Sequence, residues 1–385
     1  MDFELSEEQK LLRSNAHKFL QKEIFPIVPE YERKGLSNEE ARKLLKKLIP
    51  LGYVGSTIPR REGGHGLSVL SYGLLVEELA SVWGAFAPLE LDHWFGAFNI
   101  SHYGTEPQKQ KFLPPLLSGD MIHAFALTEP DVGSNLANLR TTAIIDRDKY
   151  VVNGTKVWIG NGVIADLVMV LVLTDPAKGT KGTSLILVEK ERSPFGVRPL
   201  NMIGVQACPL GELHFEKCNV PQENLLGEKG AGYKQILISV GTMRALVGLL
   251  SVGIAQASIN AATKYAKERF QFGKAIGSFQ LIQEMIADMY IETEAARFLC
   301  YRPLDLADKG QRHLIEASAA KAYATEIAVS VASKAVQIHG AYGLSKEYPV
   351  ERYFRDARIN TVPDGTTQIH KLIIGRELLG IAAFS

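Results

Sequence analysis

The stretch Tyr150-Val-Val-Asn-Gly-Thr-Lys-Val-Trp-Ile159 decides the architecture, because it reads as β structure between two long helical regions. β-Branched and aromatic residues fill it, and Asn153-Gly154 suits the positive φ of a type I′ hairpin turn. Downstream, Leu167–Leu173 and 184–188 are apolar runs of strand length, and 211–220 alternates until Pro221. Upstream, Ser6-x-x-Gln9 and Ser37-x-x-Glu40 are capping boxes followed by apolar residues at helical spacing. A third box, Thr105-x-x-Gln108, opens a short helix expected to stop at Pro114-Pro115. Beyond Gly232 the helical period returns over 233–268, 276–302 and 313–339, and a last helix is expected over Thr367–Leu379. The layout is helices, a β domain, then a helical bundle.

Composition narrows the function. The 385 residues are 46% hydrophobic and 22% charged, with 43 basic and 42 acidic side chains. Without a basic excess to meet phosphates, no nucleic-acid partner is expected. Cys208, Cys218 and Cys300 form no CxxC pair, which suits a reducing cytoplasm and argues against a disulfide framework or zinc cluster. The opening Met1-Asp-Phe-Glu-Leu-Ser-Glu-Glu-Gln9 is too acidic for a targeting peptide, so a cytoplasmic location is expected. The most apolar stretch, 245–262, is broken by Ser251, Gln256 and Ser258 and follows Arg244, which reads as a buried core helix and no membrane span. Gly160-Asn-Gly-Val-Ile-Ala165 loosely fits a dinucleotide fingerprint, but a strand-like run follows it, leaving no helix N-terminus for a pyrophosphate. The nine histidines lack metal-ligand spacing, and no GxSxG elbow is present.

Five segments remain: Ala126-Leu-Thr-Glu-Pro-Asp-Val-Gly-Ser134; Lys156-Val-Trp-Ile-Gly-Asn161; Glu268-Arg-Phe-Gln-Phe-Gly-Lys274; Gln337-Ile-His-Gly-Ala-Tyr-Gly343 with Glu347-Tyr-Pro-Val-Glu-Arg-Tyr-Phe-Arg-Asp356; and Pro363-Asp-Gly-Thr-Thr-Gln368. In this order and layout the chain resembles the acyl-CoA dehydrogenase family of flavoenzymes over essentially its whole length. The resemblance implies an α+β fold: an N-terminal helical domain (1–119), a central β-barrel-like domain (120–228) and a C-terminal four-helix-bundle-type domain (229–385). It implies FAD as cofactor, with Phe125, Leu127, Thr128, Gly133, Ser134, Trp158, Ile159 and Gly160 holding the flavin. Gly160 departs from the threonine usual there, Asn135 from the usual aspartate, and Ala341 from the usual glycine or serine. Arg269, Phe272, Phe279 and Gln280 match positions that meet the pyrophosphate and adenine, commonly from a neighbouring subunit. Gln337, Gly340, Ala341, Thr366 and Gln368 match further FAD contacts. Ser134, Arg244 and Gly365 match substrate-binding positions, although Gly241 replaces an acidic residue that many members carry before the arginine.

The implied reaction removes the acidic α-proton of an acyl-CoA thioester to a carboxylate and the β-hydride to the flavin, giving a 2-enoyl-CoA. Asp364 stands where the family most often has glutamate. It is the expected base, although a helix-capping role beside Gly365 is open. Being one methylene shorter, it reaches about 1.5 Å less far. Asp92 lies in a segment that resembles the helix lining the acyl pocket, with Trp83, Phe86, Trp94, Phe95 and Phe98 nearby. It is either paired with His93 or a backbone amide in an aromatic core patch, or a second acid at the pocket wall. The aromatic crowding suggests a compact acyl group, short, branched or alicyclic such as cyclohexanecarbonyl or cyclohexenecarbonyl, and a 1,4-elimination if the substrate is already unsaturated. The resemblance further implies a homotetramer and an electron-transferring flavoprotein as acceptor. Two rivals are a flavin oxidase of nitroalkane-oxidase type, which also uses an aspartate base, and a non-catalytic scaffold member.

Overall fold

The computed structural model describes residues 4–383; the first three residues of the acidic opening lie outside them. Among the described residues six α-helices come first: α1 (Glu7–Phe19), α2 (Val28–Lys34), α3 (Asn38–Leu48), α4 (Val69–Val82), α5 (Ala87–Tyr103) and α6 (Glu106–Leu117). All three capping boxes form, each with the cap side chain on the backbone of the third helical residue and that residue's side chain reaching back. Helix α6 does not stop at Pro114-Pro115 but runs on to Leu117. The prolines fall in its closing turn, and their carbonyls still accept from Ser118 and Met121.

The eight central strands are β1 (His123–Ala126), β2 (Thr142–Asp146), β3 (Lys149–Ile159), β4 (Leu167–Leu173), β5 (Thr183–Glu189), β6 (Gly196–Pro199), β7 (Gly211–Pro221) and β8 (Leu225–Leu226). They form one sheet in the order β6-β7-β3-β2-β4-β5-β8, with β1 parallel to β4. Strands β5 and β7 also touch, so the sheet rolls over its own apolar face. Strand β4 shows why its sequence reads as a continuous apolar run. Val168, Val170 and Val172 enter the core of the rolled sheet, while Leu167, Met169 and Leu171 join the helical core on the other face.

The Asn153-Gly154 turn is not found. Strand β3 runs straight through these residues, which form a bulge opposite β7 with Gly154 at φ 146°. The hairpin turn is Arg147-Asp148, where Asp146 pairs with Lys149 and Arg147 takes φ 58°. A bulge and a type I′ turn demand the same positive-φ residues, so Asn-Gly alone does not tell them apart.

The second helical region contains α7 (Gly232–Glu268), a small ribbon β9 (Phe270–Gln271) and β10 (Lys274–Ala275), α8 (Gln280–Asp308), α9 (Leu314–His339), α10 (Val350–Ile359) and α11 (Thr367–Leu379). Helix α8 starts four residues later than expected and passes through buried Pro303. Helix α7 is the axis, packed by α4, α8, α9 and α10. It is long and apolar enough to cross a membrane, but 89% of its most apolar window is buried inside the fold, which is the expected core helix.

Candidate active site

Where the sheet meets α5, α7 and the α10–α11 link, a cavity of about 1650 Å³ opens. Pockets for single drug-sized ligands run to about 1,000 Å³, so there is room for more than one ligand.

The α10–α11 link carries Asp364 into this cavity. Asp364 and Gly365 both take positive φ, 55° and 99°, and turn the chain back sharply. Aspartate tolerates this conformation better than most side chains, whereas residue 365 has little alternative to glycine, since a Cβ there would also stand 3.2 Å from the His370 ring. Two buried cations grip the link by its carbonyls. Lys321 Nζ donates to Gly365 O at 2.7 Å and Arg244 Nε to Asp364 O at 3.5 Å. The helix cap is Thr366, whose hydroxyl accepts from Ile369 N, so Asp364 does not cap α11. Burial pushes the Asp364 carboxyl above the ordinary aspartate range, with Lys321 and Arg244 opposing the shift. Burial likewise lowers Lys321 to about 8, and burial aided by both cations lowers His370 to about 3, which keeps that imidazole neutral.

Asp92 faces the same cavity from α5. Its carboxyl has no hydrogen-bond donor among the described residues. Burial first, and the charge of Asp364 second, raise it to about 8. It is not paired with His93, which accepts from His123 N through Nδ1 and donates to Leu116 O through Nε2. The backbone around Asp92 is tied down instead. His123 Nδ1 donates to Asp92 O at 3.0 Å, and Asn161 Nδ2 donates both to Leu89 O at 2.9 Å and to His123 O at 3.1 Å.

The expected aromatic crowd around Asp92 is absent from the cavity wall. Pro88, Leu91 and Asp92 form the cavity face of α5, at helical i, i+3 and i+4 positions. Trp94 instead makes tilted ring contacts with Tyr72 at 4.7 Å and Phe98 at 4.9 Å, while Trp83 stacks on Tyr31 and Phe86. Aliphatic side chains line the same cavity, among them Leu91, Val205, Val247 and Leu250.

The loop 127–134 is built as a tight turn: Glu129 and Val132 exchange both backbone hydrogen bonds around Pro130-Asp131. A buried ion pair holds it to β3. Lys156 Nζ donates to Leu127 O at 2.8 Å and Glu129 Oε1 at 2.9 Å, and Glu129 also accepts from Arg140 N and Thr141 N. Burial pushes Glu129 up, but Lys156 and the backbone donors leave it below the ordinary glutamate range. Lys156→Met strands that carboxylate and is expected to cost about 3–5 kcal/mol in urea unfolding at pH 7. Adding Glu129→Gln should recover part of the loss; no change in the single variant would show that the pair does not hold the loop.

Thirteen expected site residues line the one cavity: Asp92, Phe125, Leu127, Thr128, Gly133, Ser134, Trp158, Ile159, Gly160, Arg244, Asp364, Gly365 and Thr366. A second group lies elsewhere. Arg269 stacks over Tyr342 at 5.5 Å, which brings the α7–α8 link, with Phe272 92% exposed and Phe279 in edge contact with it, beside Gln337, Gly340 and Ala341 at the end of α9. Gln368 is exposed at the start of α11. Sequence reasoning missed Lys321, Asn161, His123 and the 202–210 segment, which brings Met202, Val205 and Cys208 to the cavity. Lys321 had a signal: one lysine inside Ala319-Ala320-Lys321-Ala322 must find a buried partner.

Family models describe the same three-part chain. The acyl-CoA dehydrogenase N-terminal domain matches residues 6–120, the middle domain 124–218 and the C-terminal domain 230–379. The chain belongs to the acyl-CoA dehydrogenase family, FAD-dependent oxidoreductases acting on CH–CH groups. It is 38% identical over 383 residues to the short-chain-specific acyl-CoA dehydrogenase of Clostridium acetobutylicum, covering 98% of this chain and 100% of that protein. The butyryl-CoA dehydrogenase structure from Megasphaera elsdenii superposes with a TM-score of 0.94 at 37% identity, covering 98% and 100%. A chain from a structure described as the electron transferring flavoprotein of Acidaminococcus fermentans gives 0.95 at 38% identity, with the same coverage. The residues present fit FAD. The Trp158 indole is 56% exposed at the cavity, nothing lies within 4 Å of a Cβ built on Gly133, and the Thr128 and Ser134 hydroxyls have no partner among the described residues.

Proposed function

We propose that this enzyme dehydrogenates a compact acyl-CoA, short, branched or alicyclic, in line with its short-chain-specific and butyryl-CoA relatives, with Asp364 as the base and Asp92 as a second acid that meets the acyl group. The observation that carries the reading is the pair of carboxyls facing one cavity, of which the Asp92 carboxyl has no hydrogen-bond donor among the described residues. A carboxylate in an apolar cavity wall is costly unless something meets it, and an acyl group in the cavity can do so. Bound FAD supplies the acceptor for the departing hydride. Phe125, Leu127, Thr128, Gly133, Ser134, Trp158, Ile159, Gly160, Thr366 and Gln368 hold it from one chain, and Arg269, Phe272, Phe279, Gln280, Gln337, Gly340 and Ala341 serve the FAD of a neighbouring chain in a homotetramer. The separation of the second group from the cavity supports that division. Ser134, Arg244 and Gly365 receive the thioester, and an electron-transferring flavoprotein in the cytoplasm collects the electrons.

With a saturated acyl group, Asp364 takes the α-proton and the C–H pair becomes the new Cα=Cβ bond as the β-hydride leaves. With a ring already unsaturated at Cα, Asp92 takes the vinylogous γ-proton. That pair forms a Cβ=Cγ bond, the old alkene pair moves to join Cα to its other ring neighbour, and the hydride leaves that neighbour. The panel that tests this is bleaching of the flavin by palmitoyl-, butyryl-, cyclohexanecarbonyl- and cyclohex-1-ene-1-carbonyl-CoA. Compact substrates are expected to reduce it fastest, and palmitoyl-CoA as the best substrate would overturn the reading. Slow reoxidation by dioxygen is expected of a dehydrogenase; fast reoxidation would favour an oxidase.

A further inference from the structure

We infer that Gly160 is the specificity-determining residue at the acyl end of the cavity, because the side chain it lacks leaves the volume in which the Asp92 carboxyl sits. The backbone does not require glycine here, since φ at 160 lies outside the left-handed region. Space requires it for one reason. A Cβ at 160 would overlap Asp92 Oδ2 and stand 3.3 Å from Asp92 Cγ, and no other atom outside the neighbouring residues lies within 4 Å. Hydrogen bonds between the two backbones oppose their moving apart to relieve the overlap. Asn161, the next residue, is tied to Leu89 O on α5 and to His123 O on β1, and His123 is tied in turn to Asp92 O. The carboxyl is what can give way, because no donor among the described residues holds it. Residue 160 therefore sets whether the acid at 92 points where it does or is turned out of its seat. With a glycine the cavity presents two acids; with a larger residue it presents Asp364 and a displaced Asp92.

This inference rests on the reading of Asp92 as the acid that meets the acyl group, and the test separates the two. Crystal structures of the FAD-loaded wild type and Gly160→Ala are compared first. Asp92 is expected to move to another rotamer, about 120° away in χ1, with residues 159–161 and α5 unmoved. An unmoved Asp92 with a shifted 159–161 backbone would overturn the inference. Flavin reduction by cyclohex-1-ene-1-carbonyl-CoA is then measured in Gly160→Ala, Asp92→Ala and the double variant. Gly160→Ala should slow the wild type at least tenfold more than it slows Asp92→Ala; equal factors would overturn the inference. If Asp92→Ala leaves every rate unchanged, the functional reading of Asp92 fails, and the crystallographic comparison alone decides the seat. Should Gly160→Ala not accumulate as folded protein, the double variant must restore folding, and failure to do so overturns the inference.

Discussion

Asp364→Asn is expected to lower the rate of flavin reduction by about 10⁴-fold, the upper end of what a positioned general base supplies. The variant keeps size and shape, and the link that carries residue 364 is held through main-chain carbonyls by Lys321 and Arg244, not through the carboxyl itself. FAD content and substrate affinity should therefore stay near wild type while the step fails, because an amide cannot take the α-proton. Stopped-flow reduction with butyryl-CoA measures it. A wild-type rate in the Asn variant would place the base elsewhere, with Asp92 first in line. Asp364→Glu keeps a carboxylate base and should retain measurable activity, lowered by up to about 100-fold because the added methylene shifts the reacting group by about 1 Å. Burial raises the Asp364 carboxyl, so the rate should climb with pH as it ionises.

Asp92→Asn is expected to reduce flavin bleaching by cyclohex-1-ene-1-carbonyl-CoA by about 10²–10³-fold, and bleaching by butyryl-CoA by far less. A proton acceptor must be ionised, and burial with the Asp364 charge sets Asp92 at about 8. The ring-ene reaction should thus rise as pH passes through about 8. Cys208 and Tyr72 feel the Asp92 charge and are themselves pushed up by burial, so they stay neutral in that window. His93 and His123 are pushed down by burial and stay neutral as well. Stability runs the other way. From the ordinary aspartate range up to about 8 the folded chain holds a proton that the unfolded chain has released, so Asp92 makes the fold less stable as pH rises, and Asp92→Asn should flatten that slope. Equal losses with both substrates would make Asp92 structural.

Local rules carried the fold far. The capping boxes, β4 and the last helix were legible because each rests on neighbours within a few residues: Thr366 caps α11 and Gly380 closes it in the left-handed conformation. Errors arose where one local signal serves two tertiary ends. Asn153-Gly154 makes a bulge, and Trp94 and Phe98 sit near Asp92 in sequence but on another face of α5, while Phe95 packs behind Phe125. Residues 127–134, 158–160 and 364–366 were legible as site segments from the family resemblance, and the structure gathers them at one cavity. What no stretch of sequence displays is the tie between segments. Gly160 and Asp92 each looked odd alone, 68 positions apart, and Lys321 reaches Gly365 across 44.

The contact between those two oddities has a historical consequence. A chain that carries aspartate at 92 and acquires threonine at 160 loses the acid from its seat, because the newcomer's Cβ would land on the carboxyl. Nor does a chain that carries threonine at 160 gain the acid in its present seat by one substitution. The route with no steric clash runs through glycine at 160 with a small neutral residue at 92, a state with room to spare. Any other order passes through a chain whose acid at 92 is turned out of its seat, so the two-acid cavity is reached without loss only when the seat is emptied before the acid arrives.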